Sequence, residues 1–149
     1  MNAPVTPIDT DSALCIAVGA SPRAEIDHRP LAQRLATAMR DWLGTHRADE
    51  AGDTLVLTVT DLWLSGDLEL AERPCIAIGE SNTNAAVAQF TLGLAQAVVV
   101  EGQYEIRMDP HLDDLRVCIR GTDAAGTAAG VEAFAARHLD GWMRAAHGM

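Results

Sequence analysis

Three short stretches, Leu14 to Val18 (LCIAV), Thr54 to Thr60 (TLVLTVT) and Cys75 to Ile78 (CIAI), are continuously apolar or β-branched. The first, ending in Gly19, suits a strand buried on both faces, the mark of a parallel sheet. The β-branched second and the third read as the next two strands. The intervening sequence supplies helices. After the first run, Pro30 stands where a first helical residue is tolerated, and Leu31, Leu35, Ala38, Met39 and Trp42 recur at helical spacing. Gly44 is the expected stop. After the third run, Asn82 to Gln96 predicts a second helix with Val87, Phe90 and Leu94 toward the core. Asp61 to Arg73 fits neither period, and predicts a loop with a helical turn near Leu68 to Glu72.

The second half adds a hairpin. Ala97 to Val100 and Gln103 to Met108 flank Glu101-Gly102, a tight-turn signal. Leu115 to Arg120 reads as the last strand. Asp123 then caps a final helix to about Arg144, with Val131, Phe134, His138 and Trp142 on one face. Gly126 and Gly130 cost that helix ~1 kcal/mol each against Ala, which points to close approach to the sheet or to a partner helix. The alternation implies an α/β fold, a three-layer sandwich of Rossmann-like or flavodoxin-like type. Its mixed sheet would hold about six strands, mostly parallel with one antiparallel, with helices on both faces. The expected order is 2-1-3-6-5-4. Residues 1–12 read as a flexible lead-in and residues 13–149 as a single domain.

Composition removes several activities. A net charge of −10 opposes nucleic acid and anionic membrane surfaces. Lysine is absent, and all eleven basic residues are Arg. There is then no Schiff-base lysine and no Walker-type lysine on a nucleotide phosphate. The three cysteines, Cys15, Cys75 and Cys118, lie in the strand runs without C-x-x-C spacing and read as buried free thiols. The opening MNAPVTPIDTDS lacks the pattern of a secretory signal, and no apolar run reaches the ~20 residues that span a bilayer. The expected location is cytoplasmic. No cofactor and no metal site is expected. The Asp109, His111, Asp113, Asp114 group reads as an acidic turn.

With the first and third strands adjacent, their following loops meet at a topological switch point, where open α/β sheets bind ligands. The candidate ligand-binding residues there are Ser21, Arg23, Asp61, Ser81, Asn82, Thr83, Asn84 and Asp123. They offer hydroxyls, amides and carboxylates around one fixed cation. The helix start at Glu80 to Asn84 could hold an anion, or Ser, Thr and Asn could simply cap it. The segment GESNTNA resembles the phosphate loop of flavodoxins over about seven residues. There the loop follows the first strand, whereas here it follows the third, and no FMN site is carried over. GASPRAE lacks the G-x-G-x-x-G of a dinucleotide fold, and Ser21, His28 and Asp61 are conceivable as a triad only in space.

The functional expectation is a non-catalytic module that binds a small polar or anionic ligand, or a protein partner. The alternative is an enzyme acting on a small polar or anionic substrate, with Arg23, Asn82 and Asn84 orienting it and Asp61 or Asp123 as acid or base. The catalytic residues are otherwise unassigned. Trp63, between Leu62 and Leu64, either covers a sheet edge or forms an interaction patch, which Trp42 and Trp142 could join in a homodimer.

Overall fold

The computed structural model describes residues 12–48, 54–80, 83–94, 97–100 and 102–149, residues 97–100 by their backbone alone. All of the lead-in except Ser12 lies outside the described residues, as do Ser81 and Asn82. The strands are β1 (Ala13–Val18), β2 (Leu55–Thr60), β3 (Cys75–Ile78), β4 (Ala97–Val100), β5 (Tyr104–Met108) and β6 (Arg116–Gly121). The helices are α1 (Pro22–Asp27), α2 (Arg29–His46), α3 (Asp61–Gly66), α4 (Leu68–Ala71), α5 (Ala85–Gly93), α6 (Ala124–Arg137) and α7 (Leu139–Ala146).

The fold is α/β, with a mostly parallel mixed sheet. Strands β2, β1, β3 and β6 lie side by side and parallel, with β1 between β2 and β3. Strand β5 runs antiparallel beside β6, and the backbone of β4 pairs antiparallel with β5 at the edge. The order β2-β1-β3-β6-β5 is the one read from the sequence. The reason is visible in burial: every residue of β1 and β3 is buried, as a central strand covered on both faces requires.

Helices cover both faces. On one, Leu14, Ile16, Val18, Ile76, Ile78, Val117 and Ile119 pack against Leu35, Met39, Phe134 and Trp142 from α2, α6 and α7. On the other, Ala13, Cys15, Ala17, Cys75, Ala77 and Cys118 pack against Leu64, Leu70, Val87 and Phe90 from α3, α4 and α5. The second face uses small residues, so its short helices lie close to the sheet. All three cysteines sit there as free, buried thiols. Burial pushes the Cys15 thiol up to about 11 against the pull of Arg73, and drives Cys75 and Cys118 upward as well.

Five elements differ from their sequence reading. One is α5, which starts at Ala85 rather than Asn82 because Asn84 caps it, and ends at Gly93. The segment after β1 holds a helix, α1, because Ser21 accepts from the Ala24 amide at 3.2 Å and Arg23–Asp27 and Glu25–Arg29 pair one turn apart. Helix α2 runs past Gly44 to His46, since Trp42 and Leu43 anchor its last turn in the core. Asp61 to Gly66 is helical because the Thr60 hydroxyl accepts from the Trp63 amide at 3.2 Å. The long C-terminal helix is two, broken at His138. The break turns α7 so that the Trp142 indole donates to the Leu115 carbonyl at 3.1 Å. Trp42 donates in turn to Asp140 at 2.9 Å.

Both tryptophans are therefore core residues, 7% and 0% exposed, on the face opposite α3. They cannot join Trp63 in one surface patch, which corrects that expectation. The glycines of α6 serve the sheet. A Cβ on Gly126 would overlap the Gln103 carbonyl, and one on Gly130 would press on Ile119 at 2.8 Å and Tyr104 at 3.2 Å.

Candidate functional site

The loops after β1 and β3 meet, as the strand order requires, but they meet in contact. A Cβ on Gly19 would overlap the Thr83 carbonyl oxygen. Gly79, at φ +132°, lies against the His28 ring, where a Cβ would stand 2.9 Å from Nδ1. Between these contacts sits Asn84, 1% exposed. Its Nδ2 donates to the carbonyls of Ala17 in β1 (3.1 Å) and Ile78 in β3 (2.9 Å). Its Oδ1 accepts from the amides of Ala86 (2.9 Å) and Val87 (3.3 Å). One side chain thus straps two strands and caps α5. Only one orientation of the amide satisfies all four partners.

Asp61 works from the other side. It is 8% exposed. Its Oδ2 accepts from the Ala85 amide at 2.8 Å and its Oδ1 from the Leu62 amide at 2.9 Å. The Asn84 amide bonds the Glu80 carbonyl at 2.9 Å. All four amides that a helix start leaves open are therefore satisfied within the chain at α5. None of the four is left to cradle an anion.

The other candidates divide in the same way. Thr83 Oγ1 donates to the Glu80 carbonyl at 3.2 Å and accepts from the Glu80 amide at 3.4 Å. Ser21 caps α1. Asp123 caps α6, accepting from the Gly126 amide at 2.7 Å, and Thr127 Oγ1 bonds the Asp123 carbonyl at 3.0 Å. Arg23 is 78% exposed and paired with Asp27 at 3.3 Å. Ser81 and Asn82 lie outside the described residues. The structure thus brings Asp61, Thr83 and Asn84 together around the start of α5, with Ser21, Arg23 and Asp123 at other helix starts. Ser21, His28 and Asp61 share no hydrogen bond, since Ser21 and Asp61 hold helix amides and His28 Nδ1 has no partner among the described residues.

Asp109 accepts from the amides of His111 (2.9 Å), Asp113 (3.1 Å) and Asp114 (3.0 Å). These bonds hold its carboxyl below the usual range and shape the turn. Among the described residues, no group of three or more His, Cys, Asp or Glu is arranged to hold a metal ion. No described helix is long and apolar enough to cross a membrane.

Sequence reading missed two features. One is a cleft of about 310 Å³ beside the switch point, lined by Glu80, Gly102, Tyr104, Glu105, Arg120 and Thr122. Its signal was the alternation Glu105, Arg107 in β5 and Arg116, Arg120 in β6, which puts charge on one sheet face. The other is a groove of about 310 Å³ between α3, α4 and α5, with Leu64, Leu68 and Phe90 in its walls. On α3, Leu62 is 68% exposed and Trp63 47%, and Leu68 of α4 is 82% exposed.

His28 is 3% exposed, and burial lowers its pKa against the opposing charges of Asp27 and Glu80. His138 is lowered by burial and by Arg137. Below the unfolded value of ~6.5, the unfolded chain binds protons that the folded chain refuses. This contribution to stability is complete above pH ~6.5 and is lost as pH falls through the lowered folded values. The denaturant midpoint is expected to drop between pH 7.5 and 5. Replacing both residues, His28→Gln with His138→Gln, should flatten that drop. An unchanged slope in the double variant would contradict the assignment.

Compared with models of known protein families, with curated protein sequences and with solved structures, the chain matches none.

Proposed function

We propose that the protein is a non-catalytic interaction module whose partner is a second copy of itself, docked on the outer surface of α3 and α4. The observation that carries this reading is the exposure of Leu62, Trp63 and Leu68 on the successive helices α3 and α4. Large side chains at neighbouring positions on one surface mark interaction sites in soluble chains. The three offer on the order of 400 Å², about half of what one partner contributes to a standard interface. An isologous pairing lays this patch against itself, so the same residues serve both sides. With a net charge of −10, two copies repel at long range, and an apolar contact is the means to overcome it. The enzyme reading draws little support, because Asp61 and Asp123 are both occupied at helix starts.

The test is sedimentation equilibrium at micromolar concentration. The wild-type chain is expected to be a dimer, and Leu62→Ser with Trp63→Ser a folded monomer. A wild-type monomer across the accessible range would refute the proposal, as would a dimer unaffected by the double change.

A further inference from the structure

We propose that the cleft between Glu80 and Arg120 binds a small dipolar molecule carrying both an ammonium and a carboxylate, of the size of a free α-amino acid. This goes beyond the interaction surface, from which it is separate in residues and position. The cleft opens at the carboxyl ends of β3 and β6, where open α/β sheets take ligands. Its floor belongs to the sheet face that carries Glu105, Arg107 and Arg120. Glu105 is 17% exposed and lies between two guanidinium groups, bonded to Arg120 at 3.0 Å and in contact with Arg107. Arg107 is itself fixed by a bond to the Leu94 carbonyl at 3.1 Å. The charges of the floor are thereby held in place before any ligand arrives.

Glu80 stands on the opposite wall, half-buried, with its backbone tied to Thr83 and Asn84. Its carboxylate enters no ion pair or hydrogen bond among the described residues. Among the described residues, two carboxylates and one guanidinium therefore line the cleft, with a second guanidinium behind Glu105. A simple anion meets Glu80 and the acidic chain. A simple cation meets Arg120. A ligand with both charges can place its ammonium by Glu80 and its carboxylate toward Arg120. A space of about 310 Å³ corresponds to roughly ten water molecules, hence to a molecule of about ten non-hydrogen atoms.

The experiment is a titration of the ¹⁵N-labelled full chain, followed by amide chemical shifts. The probes are L-glutamine, n-butylamine and butyrate, each to about 20 mM, well above a millimolar dissociation constant. L-glutamine alone is expected to give saturating shifts at Gly102, Glu105, Gly121 and Thr122. Glu80→Gln, which breaks no bond among the described residues, should weaken that binding about tenfold while leaving distant amides in place. Three results would overturn the proposal: no saturation with L-glutamine, equal binding of n-butylamine or of butyrate, or unchanged affinity in Glu80→Gln.

Discussion

Replacing Asn84 by Ala is expected to destabilise the protein by about 3–7 kcal/mol, read as a shift in the denaturant midpoint at constant slope. The change removes two things at once. Helix α5 loses the cap on Ala86 and Val87, worth about 1 kcal/mol. The carbonyls of Ala17 and Ile78 lose a donor in a site that water does not reach, at about 1–3 kcal/mol each. Against a total of about 5–15 kcal/mol, this is a large share. Asn84→Asp separates the two parts. Aspartate caps helices as well as asparagine does, so a capping role alone would leave this variant near wild type. In the strap described here, a carboxylate oxygen would face two carbonyl oxygens. Asn84→Asp should then be at least as damaging as Asn84→Ala at pH 7. Near-native stability of the Asp variant would show that the strap is unimportant.

Gly19→Ala should cost about 2–4 kcal/mol, from overpacking rather than from strain in the backbone angles. The added methyl would overlap the Thr83 carbonyl oxygen, a backbone atom that cannot rotate away. The loops after β1 and β3 would have to separate, and the Asn84 bonds would stretch with them. Gly44→Ala provides the contrast. Gly44 lies in α2 with open space around it, so the methyl meets nothing and helix propensity gains up to about 1 kcal/mol. Thermal unfolding of the two variants should move in opposite directions. A Gly19→Ala variant as stable as wild type would mean that the two loops do not touch in solution.

The fold was legible where one local signal dominated. The run LCIAV suited a strand buried on both faces, CIAI read as the third strand, and Glu101-Gly102 marked the hairpin. The helical state of Asp61 to Gly66 was hidden because its stabiliser, Thr60, reads as the last residue of a β-branched strand. The break at His138 left no Gly or Pro to announce it. It follows from where Trp142 finds its hydrogen bond, which is tertiary information. The polar residues near the start of α5 were legible as a group but not by role. Ser, Thr and Asn look alike in sequence whether they face a ligand or the chain's own amides. Asn84 is assigned by the carbonyls of Ala17 and Ile78, 67 and 6 positions away. The charged cleft escaped because Glu80, Glu105 and Arg120 come from three separate segments.

The central claim is that the start of α5 is closed by the chain's own side chains. Native-state hydrogen exchange of the Ala85, Ala86 and Val87 amides, with and without inorganic phosphate, tests it most directly. The expected result is slow exchange approaching that of the central strands, unaltered by phosphate, because Asp61 and Asn84 already hold these donors. Fast exchange that phosphate slows in a saturable way would contradict it, and would establish an anion site where the structure has a strap.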